Sequence, residues 1–244
     1  MKKIRITPFS LPWFGWLAIC AAALVLMRVF IYPLDLQVRL NVLLWIGIIS
    51  FGCLRIYKFG LRFLKGYDYN YFNELPFYLC NMSTFTCIYA ALTNSHIFAV
   101  YSYSVGFAGA LLAFLAPDPS FRDIDLFSWK SFGFFGYHTL LIINCLGFTV
   151  LDICRPQLVD VFGVVGITLG LMLLAHAVNF TVRKLKLCEE ANYVFTYDPG
   201  DNGILLYFYK KIPIPAVYLL PLAAHFALIY LIMYAVYRLF ALIL

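Results

Sequence analysis

The sequence predicts an all-α bundle of about seven transmembrane helices, N-terminus cytoplasmic and C-terminus outside, and three observations predict it. The first is composition: of 244 residues, 64% are apolar and 12% charged, whereas a soluble globular chain carries about a quarter charged residues. The second is that the apolar residues gather into runs of about 20, the length that crosses roughly 30 Å of hydrocarbon as a helix. The third is that the basic residues cluster in alternate connections between those runs.

Hydropathy places the spans at residues 13–32, 36–57, 75–93, 97–116, 132–151, 159–182 and 215–243. All are expected to be helical, because backbone groups in lipid can be satisfied only within the segment or by a closed barrel. Met1 to Arg5 followed by an apolar run resembles a secretory leader, but the run is too long for one and further spans follow, so it reads as the first helix. Span 3 opens on Leu75-Pro76, where proline loses no hydrogen bond, and span 4 stops at Pro117-Asp118-Pro119. Small residues at Gly106 to Ala110 and Gly166 to Gly170 mark places for close helix approach. With no repeat and no low-complexity linker, residues 1–244 are expected to form a single transmembrane domain.

Of the 18 Lys and Arg, all but Arg28, Arg39, Arg155 and Arg238 fall in the N-terminal segment, in the second, fourth and sixth connections, or, for Arg55, at the inner end of span 2. That asymmetry sets the N-terminus inside. It also explains the net charge of +6 as an orientation signal, so nucleic acid is not an expected partner. Two inner segments are rich in aromatics, residues 66–74 and 183–215, and both suit the headgroup layer. The seven cysteines contain no CxxC pair, so neither a disulfide framework nor a zinc motif is expected. No cofactor is implied, and nothing in the sequence speaks to oligomeric state.

Polar groups inside a span are functional candidates by default. Cys80 lies five residues into span 3 and His138 six residues into span 5, both counted from the inner face, or roughly 8 to 9 Å deep at 1.5 Å per residue. His176 and Asn179 share one face of span 6 near its inner end, and Asp118 closes span 4 on the same side. Cys80, Ser83, Thr84 and Cys87 form one polar stripe at helical spacing, expected to face the bundle. His225, without a polar neighbour within a turn, reads as structural. A cysteine and a histidine at headgroup depth suit attack on the ester carbonyls of glycerolipids, the histidine removing the thiol proton. Cysteine is also common as inert packing, and a membrane histidine as an interhelical hydrogen bond.

The stretches LPFYLCNMS at 75–83, FAGALLAFLAPD at 107–118, GYHTLLI at 136–142, VNF at 178–180 and NYVF at 192–195 together resemble the bacterial YwaF-like family of integral membrane proteins. That family is similar to a eukaryotic transmembrane acyltransferase that moves acyl chains between phospholipids to build ether phosphatidylethanolamine with a cysteine and a histidine. More distantly it resembles small membrane hydrolases with threonine and histidine in those roles. By position, the resemblance assigns these roles to Cys80 and His138, the pair that depth also selects. Family members often carry histidine two places before the cysteine, where this chain has Tyr78.

The expectation is therefore a phospholipid acyltransferase of the cell membrane, with Cys80 and His138 catalytic and Tyr78, Asn81, Asp118, His176 and Asn179 as oxyanion or supporting groups. Arg122, Lys130, Arg183, Lys184 and Lys186 are the candidates for lipid headgroups, and membrane phospholipids are the expected partners. The alternative is a transporter or channel with His138, His176, Asp118 and Asn179 along a polar path. A metal site is not expected, because the ligand types come singly from separate helices.

Overall fold

The computed structural model describes residues 4–64, 69–117, 119–200 and 202–243. It divides into two compact units, Met1–Tyr67 with Ser83–Arg155, and Asp68–Met82 with Pro156–Leu244.

The first unit holds α1 (Leu11–Ile31), α2 (Leu36–Phe63), α4 (His96–Leu115) and α5 (Trp129–Val150), together with most of α3 (Leu79–Thr93). Helix α5 is its core element, with Leu141 to Cys145 and residues on either side buried; a helix buried all round belongs inside a bundle. It packs against α1, α2 and α4. Close approach is made by glycine. A Cβ on Gly147 would stand 2.5 Å from a Leu43 methyl, and one on Gly106 3.2 Å from the Cys145 sulfur. Gly166 and Gly170 of the second unit, expected to do the same, have open space where a Cβ would sit. Three π-turns, Met27–Ile31, Ser102–Gly106 and Phe132–Gly136, interrupt α1, α4 and α5.

Among the described residues, six helices are long and apolar enough to cross a bilayer, and α3 is not one of them. At 15 residues it spans about 22 Å. The predicted start at Leu75-Pro76 moves to Leu79, because residues 75–77 form a tight turn, Phe77 N–H to Leu75 C=O at 2.9 Å. Hydrogen bonds within the first unit nevertheless require α3 to count as a crossing. Strand β1 (Arg5–Ile6) pairs antiparallel with β2 (Ile124–Asp125), so both lie on one side of the membrane. An even number of crossings must separate them, and α1, α2 and α4 make an odd one. The Trp13 indole donating to Phe114 C=O at 3.0 Å, and that of Trp129 to Tyr57 C=O at 3.1 Å, give the same parity. A seventh crossing is thus made by α3 with the irregular segment before it.

The second unit holds that segment, α6 (Asp160–Lys184), α7 (Gly203–Lys211) and α8 (Leu222–Ile243). Asn202 caps α7, accepting from Ile204 and Leu205 N–H at 3.1 and 3.2 Å, and Lys210 and Lys211 close it where cations suit the helix dipole. Leu205 is buried against Met172, Tyr218 and Leu219, while Ile204 and Tyr207 are exposed. Within the aromatic stretch 183–215, Tyr193 is fully inaccessible, while Phe195 and Tyr207 are exposed.

Candidate functional site

Cys80 is the second residue of α3. It is half-buried, with its thiol 3.6 Å from the Asn81 side-chain oxygen. What positions this turn is Tyr193. Its hydroxyl donates to Phe72 C=O and accepts from Leu75 N–H at 3.1 Å, satisfying two backbone groups of a non-helical segment, a condition for such backbone at membrane depth. Its ring lies against Phe77 and, edge-on at 5.3 Å, against Tyr78. Burial pushes the Tyr193 phenol well above its ordinary range, so the hydroxyl keeps its proton.

Tyr193 is in turn held by Asn179. The Asn179 amide accepts from Tyr193 N–H at 2.9 Å and donates to Tyr193 C=O at 2.9 Å and to the Thr196 hydroxyl at 2.8 Å. Both amide hydrogens are thereby used, which leaves none for an oxyanion. The clamp holds Val194 and Phe195 at φ of 55° and 58°, left-handed values disfavoured for a β-branched residue. His176 Nδ1 stands 3.1 Å from the Thr196 hydroxyl, and its ring stacks on Tyr197 at 5.0 Å. The motifs VNF, NYVF and LPFYLC thus meet in one hydrogen-bonded scaffold within the second unit.

Beside it, Phe180, Arg183, Lys184, Lys186, Glu189 and Tyr197 line an open cleft of about 460 Å³. The Arg183 guanidinium lies over the Tyr197 ring at 4.6 Å. The predicted cations Arg183, Lys184 and Lys186 share this cleft, with Glu189 as an unpredicted carboxylate.

His138 belongs to the first unit. It is 6% exposed, and its Nδ1 meets Phe134 C=O at 2.7 Å, a carbonyl of the π-turn Phe132–Gly136. A carbonyl can only accept, so Nδ1 carries the hydrogen and Nε2 keeps its lone pair. Nε2 is buried and, among the described residues, has no hydrogen-bond partner. Among the described residues it shares that state with the neighbouring Thr139 hydroxyl, the Ser131 hydroxyl and the Trp16 indole; what sets His138 apart is an imidazole at a π-turn, a feature that concentrates at functional sites. The next residue, Tyr137, bonds Thr84 of the α3 stripe at 2.8 Å; Ser83, Thr84 and Cys87 are buried as expected.

Arg122 caps α4, donating to Pro117 C=O at 2.9 Å, and Lys130 is half-buried in the first turn of α5. Asp118 lies outside the described residues. His225 makes only an edge-on contact with Phe208 at 6.0 Å among its ring contacts. Among the described residues, no three His, Cys, Asp or Glu side chains gather as metal ligands. Tyr193 and Thr196 had no sequence signal beyond Tyr193's place in NYVF; a tyrosine in an aromatic loop reads as interfacial.

A family model, that of the TMEM164 family, matches residues 7–235. Searches of curated proteins and of solved structures found no match.

Proposed function

The chain belongs to the TMEM164 family of transmembrane proteins, and on that premise we propose that it is an acyltransferase of the cell membrane, moving acyl chains between glycerophospholipids through a thioester on Cys80. The observation that carries the reading is His138: a buried imidazole with one nitrogen locked as a donor and the other, lone pair free, left without a partner. That is the form a general base takes before substrate arrives. Cys80 sits in the first turn of α3, where the helix dipole favours a developing anion, on a segment bridged by the Tyr193 hydroxyl.

In the proposed reaction the Cys80 sulfur attacks a lipid ester carbonyl while His138 Nε2 takes the thiol proton. The carbon–oxygen bond breaks, and the departing lysolipid oxygen receives that proton. The acceptor's hydroxyl then gives its proton to Nε2 as its oxygen attacks the thioester carbonyl, and the released sulfur is reprotonated. With the Asn179 amide spent on Tyr193 and Thr196, the oxyanion donors of this reading are the Asn81 amide NH2, whose oxygen accepts from the thiol, and the Tyr78 hydroxyl. The cleft of Arg183, Lys184 and Lys186 takes the headgroup phosphate from the cytoplasmic leaflet, with the N-terminus inside.

Lipid profiles of cells carrying wild-type or Cys80→Ser protein test the proposal. A shift in phospholipid acyl composition with wild type and none with the variant is expected. Identical profiles would turn the assignment toward a transporter.

A further inference from the structure

The clustering of basic residues near the β1–β2 end of the first unit is explained by orientation, but Arg28 and Arg39 are not. They lie at the opposite end, in the last turn of α1 and the first turns of α2, where the same rule disfavours them. An arginine in the final turn of a span reaches the interface by snorkelling, so it is the pairing of two on this side that calls for a reason.

Both guanidinium groups converge on one aromatic ring. The Arg28 guanidinium carbon lies 3.6 Å from the Tyr32 ring centroid and that of Arg39 5.7 Å from it. Each donates through one nitrogen to the carbonyl end of α5, Arg28 to Val150 C=O at 3.1 Å and Arg39 to Leu151 C=O at 2.6 Å. Capping explains those bonds and leaves most of the five N–H donors of each fork unused. The Arg39 Nε is buried and, among the described residues, has no hydrogen-bond partner. Neighbouring Arg155 is different: its fork grips the Asp152 carboxylate at 2.8 and 2.7 Å. Among the described residues neither Arg28 nor Arg39 has a carboxylate within ion-pair distance. Their fields reach Asp152, whose carboxyl is held below its usual range first by the Arg155 hydrogen bond and then by the charges of Arg155, Arg28 and Arg39. Two positive charges therefore stand together at a span end, hydrogen-bonded to backbone carbonyls, with Asp152, already gripped by Arg155, as the carboxylate in their field.

We propose that Arg28 and Arg39, with Tyr32 between them, form a phosphate-binding site at the end of the first unit opposite β1, for a phosphate group carried by a lipid headgroup or free in solution. The planar fork matches phosphate oxygens, and two guanidinium groups offset its charge in a layer where phospholipid phosphates lie. The site is independent of the acyl-transfer reading and shares no residue with it.

Native mass spectrometry of the full chain in dodecyl maltoside, wild type against Arg28→Gln/Arg39→Gln, tests this with three probes: phosphatidylglycerol, diacylglycerol and inorganic phosphate. The variant should retain phosphatidylglycerol roughly 20-fold more weakly, the loss of two interfacial cation–phosphate contacts, and diacylglycerol equally. Inorganic phosphate that displaces the lipid identifies a free phosphate ligand, and lipid that resists it identifies a headgroup site. Equal retention of phosphatidylglycerol by both proteins, or an equal loss of diacylglycerol, overturns the proposal. Wild-type protein supplies a second reading should the variant not fold: phosphatidylglycerol should slow phenylglyoxal modification of Arg28 and Arg39, and an unchanged rate overturns the site.

Discussion

Two buried polar side chains, Asn179 in one unit and His138 in the other, are treated oppositely by their surroundings. Asn179 makes hydrogen bonds to the Tyr193 N–H, the Tyr193 C=O and Thr196, and no capacity for substrate remains in its amide hydrogens. His138 spends one nitrogen on Phe134 C=O and leaves the other buried and unpaired. A satisfied buried group stabilises a fold; an unsatisfied one burdens it, and is kept for another reason. The difference marks Asn179 as scaffold and leaves His138 as the residue on which the proposed chemistry rests, among residues that hydropathy alone ranks alike.

The comparison breaks most readily in activity. His138→Asn, which keeps a polar side chain in the buried position, should lower acyl transfer by about 10²- to 10⁴-fold, the usual contribution of a general acid–base group, with a smaller fall in melting temperature in detergent than Asn179→Leu. A large fall in melting temperature would make His138 a scaffold residue instead. Asn179→Leu should do the reverse to stability, costing about 3 kcal/mol because it strands the Tyr193 N–H and C=O; calorimetry or a thermal melt measures it, and a loss under about 0.5 kcal/mol would contradict the clamp. Tyr193→Phe removes only the hydroxyl that bridges Phe72 and Leu75. It should cost about 1 to 2 kcal/mol and raise the alkylation rate of Cys80, whose segment it holds. The exposed Arg155–Asp152 pair sets the bottom of the scale. Arg155→Gln should cost no more than about 0.5 kcal/mol at neutral pH. Because the Asp152 carboxyl is held below its ordinary value of 3.8, that contribution is present above the ordinary value and disappears as pH falls through the depressed one.

Much of this was legible in the sequence, for reasons that differ by element. Six spans emerge within a few residues of their predicted bounds, because length and hydropathy are what the bilayer selects. The seventh, α3, starts later than Leu75-Pro76 suggests. Its lead-in is held open by a tyrosine 118 positions away, a contact no local pattern reveals. The place of His138 on a buried helix was readable, but the π-turn that supplies Phe134 C=O was not, since an i to i+5 bond leaves no periodic trace. Tyr193 was not distinguishable from the other aromatics of its loop; its own burial follows from Asn179, which looked from sequence like a candidate for chemistry.

The most direct test of the central claim is to trap the intermediate. Purified protein incubated with a phospholipid labelled in its acyl chain should carry label on Cys80 that neutral hydroxylamine releases, as it does from a thioester, and the label should accumulate when acceptor is withheld. Label that persists on Cys80→Ala protein, or that withstands hydroxylamine, would contradict the account.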